Sequence, residues 1–101
     1  MNVKQDITAI IYDKRGRILA VGKNSYVKTH PLQAKYAKPH NAHKVFLHAE
    51  VAAIVKCRDL SKAHKISIFR VNKQGKYMKA APCPVCQDAI AASGIKFIEH
   101  T

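Results

Sequence analysis

Two short stretches of this chain hold most of the side chains able to do chemistry: His48-Ala49-Glu50 and Pro82-Cys83-Pro84-Val85-Cys86. Cysteines spaced C-x-x-C suit either a metal ion or a thiol redox couple. Pro84 can open a helix without cost, because the first turn has no use for its missing N–H. On such a helix Cys83 and Cys86 stand three residues apart, about 60° round the axis, close enough to share one ion. Their sulfurs would face the positive end of the helix, which favours the thiolate that binds metal. A redox pair would normally follow a first strand in a βαβ unit, whereas this pair comes late and after H-x-E. Cys57 lies nine residues beyond His48, about 13.5 Å further along a continuous helix and on its opposite side. It reads as a small buried apolar residue rather than a fourth ligand that would close the site into a structural zinc. Glu50 is the only acid between Asp13 and Asp59, so no nearby carboxylate competes with it as a proton carrier.

H-x-E followed by P-C-x-x-C is the signature of the zinc nucleobase deaminases. On these residues the chain resembles the cytidine deaminase superfamily, which acts on nucleosides, deoxycytidylate, tRNA adenosine and single-stranded DNA. The likeness also takes in Val21-Gly22-Lys23-Asn24 and Ser93-Gly94-Ile95-Lys96. It implies Zn²⁺ on His48, Cys83 and Cys86, with the fourth tetrahedral position left for water, as catalytic zinc requires. Zinc can lower the pKa of that water from 15.7 to about 7, and the resulting hydroxide attacks C4 of cytosine. Glu50 then moves protons to the ring nitrogen and to the departing ammonia, giving uracil. Residues two apart in a regular helix project about 200° from each other, so His48 and Glu50 can meet only in an irregular first turn. The resemblance further implies substrate contacts at Asn24, which aligns with a ribose-binding asparagine, and at Ala49 and Pro82. The alternative for Asn24 is an ordinary turn residue, a position asparagine favours.

Elements that would carry these groups follow from the pattern along the chain. Residues 3–12 and 17–22 are two apolar, β-branched runs joined by Asp13-Lys14-Arg15-Gly16, which predicts a hairpin. Residues 24–44 hold two prolines and no sustained period, and read as a long loop or broken segment; loops of this length are usually functional. His30, Pro31, His40, Asn41 and His43 lie there, at what in relatives is the pocket mouth. Tyr26, Tyr36 and Phe46 offer faces for base stacking, although Phe46, between Val45 and Leu47, reads as core rather than pocket. Residues 48–60 predict a largely buried helix and residues 66–71 a strand. A second helix runs from Pro84 to about Ser93, with Gly94 placed for a left-handed terminus, and residues 95–98 form a last strand. His64 and His100 sit at element edges and receive no role. The order β-β-α-β-α-β predicts an α/β domain of cytidine deaminase-like fold. In it a central mixed sheet of about four strands carries the two zinc-motif helices, all within one domain spanning residues 1–101.

With 101 residues, 48% of them hydrophobic and 24% charged, the composition is that of one globular domain, which excludes intrinsic disorder. No apolar run approaches the ~20 residues of a membrane span, and the start of the chain lacks signal-peptide features, so no membrane partner and a cytoplasmic location are expected. Three cysteines make an odd number for a disulfide framework. Eighteen Lys and Arg against six Asp and Glu give a net charge of +12. Eight of the cations fall between Lys14 and Ala49 and six between Leu60 and Gln87, with no acid in either stretch. That imbalance suits a phosphate-bearing partner, a nucleotide or a nucleic-acid strand, as well as a solvated surface. Family members usually have a helix before the first strand and a further strand and helix after Thr101. The expected uncovered sheet face and edge point to a homo-oligomer. The leading expectation is a hydrolase acting on a (deoxy)cytidine nucleoside or nucleotide. Its rivals are a deaminase of cytosine or adenine in single-stranded nucleic acid or tRNA, and a non-catalytic, zinc-stabilised nucleic-acid binder.

Overall fold

Alternation of apolar side chains gives β1 (Asp6–Tyr12) and β2 (Ile18–Lys23), paired antiparallel through Ala9↔Gly22 and Ile11↔Ala20. The computed structural model describes residues 6–25, 28–38 and 46–101. The hairpin turn is fixed by Asp13, whose Oδ1 accepts from the Arg15 and Arg17 amides at 2.9 and 2.8 Å. Next come α1 (Pro31–Ala37), α2 (Ala49–Lys56), a 3₁₀ turn at Leu60–Lys62, β3 (Lys65–Val71), β4 (Tyr77–Met78), α3 (Pro84–Ala92) and β5 (Phe97–His100).

β3 is the centre of the sheet. It runs antiparallel to β1 along its whole length. Its other edge is shared end to end: β4 pairs antiparallel with Arg70 and Val71, and β5 pairs parallel with residues 65–68. The parallel partner is reached through α3, as a parallel connection requires a crossover. The sheet is therefore mixed, as expected, but among the described residues has five strands rather than four. Ala9 pairs with Ile68 and Ile11 with Ile66, so all four side chains share one face, and all are buried. Against this face lies α2, which buries Ala49, Glu50, Val51, Ala52, Ala53 and Ile54. The approach is so close that a Cβ on Gly22 would collide with the Ala53 amide nitrogen and the Ala49 carbonyl oxygen. Only glycine lets α2 sit this deep.

Three boundaries differ from the sequence expectation, each for a local reason. Within the stretch read as a loop, α1 forms on Pro31 at its first turn, capped by His30, whose Nδ1 accepts from the Leu32 amide at 3.0 Å. Imidazole stands outside the usual set of capping side chains, and seven residues are too few to show a period. α2 ends at Lys56, four residues short of the expected Leu60, because Cys57 turns extended (ψ 116°). The last strand starts at Phe97 because Ile95 is used as a buried anchor after Gly94, which has φ +81°. Tyr26, His40, Asn41 and His43 lie outside the described residues. No helix among those described is long and apolar enough to cross a membrane.

Candidate metal centre

Each reactive pair begins at the residue just before a helix. His48 is the N-cap of α2, with extended backbone (φ −82°, ψ 156°), and Glu50 lies in the first turn. Cys83 is the N-cap of α3, also extended (φ −70°, ψ 165°), followed by Pro84 and then Cys86 inside the helix. Cys83 is thus not itself helical, contrary to the spacing argument. Neither side chain makes the ordinary capping hydrogen bond. Both are instead turned across the gap between α2 and α3, where His48 Nδ1 lies 3.2 Å from Cys86 Sγ and 3.6 Å from Cys83 Sγ. The irregular first turn required for His48 and Glu50 to converge is this cap geometry.

The three donor atoms lie within 4.8 Å of one another, and no other such group occurs among the described residues. Two sulfurs and one nitrogen around tetrahedral zinc, at about 2.3 and 2.0 Å from the ion, stand roughly 3.5–3.8 Å apart. The nitrogen–sulfur separations of 3.2 and 3.6 Å lie close to that range and the two sulfurs lie within 4.8 Å of each other, so the residues present fit the metal. Cys57 is buried at the far end of α2 and takes no part, as its spacing implied.

Charge at the centre is strongly coupled. The Cys83 thiolate accepts from the Cys86 thiol and from His48, which holds Cys83 down to about 4, while the same contact and burial push Cys86 up. Hydrogen bonding to Cys83 raises His48. Burial raises Glu50, the only buried charged side chain among those described. A carboxyl group held above its usual range is suited to carrying a proton near neutrality.

A cavity of about 320 Å³ opens onto this cluster, with His48, Glu50 and Cys83 in its wall. Asn24 also lines it and staples β2 to β1: its Oδ1 accepts from the Ile7 amide at 3.0 Å. Phe46 lines the cavity and is exposed, so it belongs to the pocket and not the core. Ala49 is buried against β2 at the start of α2, and the Pro82 carbonyl accepts from Gln87 Nε2 at 3.0 Å. Neither is part of the cavity wall. Tyr36 packs against the core, and His30 serves as a cap.

Three residues of this region carry no motif. Gln33 on α1 is buried, and its Oε1 accepts from the His48 amide at 3.1 Å, fixing the ligand's backbone. Arg70 and Lys79 line the cavity from β3 and from the segment before α3, with Arg70 Nη1 donating to the Lys79 carbonyl at 3.2 Å. The available signals were a lone glutamine on an otherwise short helix and two cations at strand ends, neither specific.

A profile described as the cytidine and deoxycytidylate deaminase zinc-binding region matches residues 2–99. No curated protein sequence matches the chain. Among solved structures, the apo form of dCMP deaminase from the cyanophage S-TIM5 superposes with a TM-score of 0.52 at 27% identity. The match covers 93% of this chain and 64% of that one, just under two thirds of its length.

Proposed function

The chain belongs to the cytidine and deoxycytidylate deaminase zinc-binding family, whose metal is zinc, and on that premise we propose that it deaminates cytosine to uracil hydrolytically. His48, Cys83 and Cys86 hold the metal, and Glu50 carries protons. The observation behind this reading is the convergence of three donors from two helix starts beside a buried acid, all at one cavity. When bound, zinc supplies the Lewis acidity that makes water a nucleophile at neutral pH.

Every other task falls to the chain. Glu50, in the first turn of α2, takes one proton from the attacking water to N3 of the ring, then carries the second, from the C4 hydroxyl so formed, to the exocyclic amine. The amine leaves as ammonia and the water oxygen remains as the uracil carbonyl. Ile7, Phe46, Leu47 and Ile68 give the cavity apolar walls that keep bulk water from the base. Asn24 holds the β2 end of the pocket and is the candidate sugar contact.

Two cations in the wall, Arg70 and Lys79, support a phosphorylated substrate over a bare nucleoside, since Glu50 is the only acid there. The outer strand β2 exposes Ile18 and Val21, which supports self-association, and thiolate ligands suit the reducing cytoplasm. The test is incubation of zinc-quantified protein with cytidine, deoxycytidine, their monophosphates and a cytosine-containing single strand, scoring uracil and ammonia. Turnover should be highest with a monophosphate, and Lys79→Ala should raise KM for the monophosphate but not for the nucleoside. Full zinc occupancy with no product from any of them would sink the reading.

A further inference from the structure

The end of the sheet opposite the metal centre carries a second, wider cleft of about 690 Å³. It lies between the β1–β2 turn, the 3₁₀ turn and the link from α3 to β5. Lys14, Arg15, Arg17, Lys62 and Lys96 line it, with His64. Its one lining acid, Asp13, is already engaged, by Arg17 Nε at 3.0 Å and by the two turn amides. Asp59 lies near Lys62 but is committed to the Ser61 amide and hydroxyl.

Folding alone does not account for this grouping. None of the five cations stands in the last turn of α2 or α3, where it would offset the helix dipole. Like charges around one concave surface repel until an anion arrives. Beside Lys96 the ring of Phe97 is 56% exposed and leans on His64, with centroids 4.9 Å apart at 59°. A cationic groove next to an exposed aromatic face is how single strands are held: phosphates meet the cations and an unstacked base lies on the ring. From Lys65 to Arg70 β3 rises through five residue steps, about 17 Å, so this surface is separate from the deaminase pocket.

We propose that this cleft binds single-stranded nucleic acid, its backbone against Lys14, Arg15, Lys62 and Lys96 and a base stacked on Phe97. A duplex does not fit the second part, because its bases are not free to stack on a side chain. The surface makes the protein a strand-binding one whatever the size of its substrate.

The test uses the zinc-loaded full chain and a fluorescein-labelled oligothymidylate, whose bases lack an exocyclic amine and so are not deaminase substrates. Anisotropy should report binding whose log affinity falls with log salt at a slope of about −3, as four phosphate contacts at about −0.7 each require. Joint Lys14→Glu, Lys62→Glu and Lys96→Glu substitution should weaken binding at least about tenfold and flatten the slope. Phe97→Ala should weaken it roughly tenfold at unchanged slope. Both variants should turn over the free monophosphate normally. If the triple reversal fails to fold, joint Lys62→Gln and Lys96→Gln substitution provides the same reading at smaller amplitude. Unchanged binding in the charge variants would overturn the proposal, as would loss of binding in Lys79→Ala. Displacement of the strand by pyrophosphate at equal phosphate concentration, or tighter binding to phosphatidylserine vesicles, would also overturn it. Because binding is read without catalysis, the strand proposal and the deaminase reading can fail independently.

Discussion

The two ends of the β-sheet use charge in opposite ways. At the Ile7, Asn24 and Arg70 end, one buried acid and two cysteines are held at the starts of two helices within reach of an imidazole, where burial and mutual contact shift their proton affinities. At the Tyr12 and Lys65 end, cations stand around a cleft whose one lining acid is already engaged. The first arrangement depends on packing, because desolvated groups function only while the fold keeps them in contact. The second depends on sign and number, and tolerates displacement. Substitutions should therefore have large, specific effects at one end and small, cumulative ones at the other.

The strongest attempt to break that distinction is Glu50→Gln. Removing the proton carrier should cut deamination by about 10²–10⁴-fold while zinc content stays stoichiometric. A comparable neutralisation at the far end, Lys62→Gln, should leave turnover of the monophosphate untouched. Equal losses in the two variants, measured by steady-state assay, would show that the ends are not independent.

Zinc removal comes next. Ion present at a thousandfold excess over its Kd adds about 4 kcal/mol to stability, which a chelator should abolish as a fall in Tm. Hydrogen exchange should quicken at the starts of α2 and α3 and stay unchanged in the turn at residues 13–17. Uniform quickening would mean that metal holds the whole domain rather than one end of it.

Two glycines sharpen the contrast further. Gly22→Ala drives a methyl group into the backbone of α2, which has no flexible side chain to move aside, and should cost about 3 kcal/mol along with zinc affinity. Gly16 has φ +83° with open space around it, so Gly16→Ala should cost only about 1 kcal/mol and no metal. Denaturant midpoints together with zinc titration measure both.

What could be read from the sequence divides along the same line. His48, Glu50, Cys83 and Cys86 were legible because their chemistry demands specific residue types at fixed local spacing, and each motif opens its own helix. Gly94 and Pro84 announced the ends of α3 for equally local reasons. Gln33 and the Arg70–Lys79 pair were not legible, since each acquires meaning only through long-range contact. Gln33 meets His48 across fifteen residues, and Arg70 reaches Lys79 because β3 and β4 fold back on one another. The basic cleft was legible as an excess of cations, but its place came from the three turns that the sheet brings to one end.

The smallest expected effect concerns Asp13, and its sign can be worked out. Hydrogen bonds from the Arg17 and Arg15 amides, with the Arg17 guanidinium beside it, hold its carboxyl below the ordinary value of 3.8 in the folded state. A group depressed on folding stabilises the fold above its unfolded pKa, and that contribution fades as pH falls through the folded value. In Asp13→Asn the turn keeps an oxygen that can accept from both amides but loses the charge. The parent should therefore melt slightly higher than the variant at neutral pH, and the two melting curves should converge as pH drops below about 3.8. Because the Arg17 partner is exposed to solvent, added salt should narrow the gap at neutral pH as well. A difference in Tm that stays constant from neutral to acid pH would show that Asp13 acts through turn geometry alone. Charge would then matter at this end only for what it binds, not for how it folds.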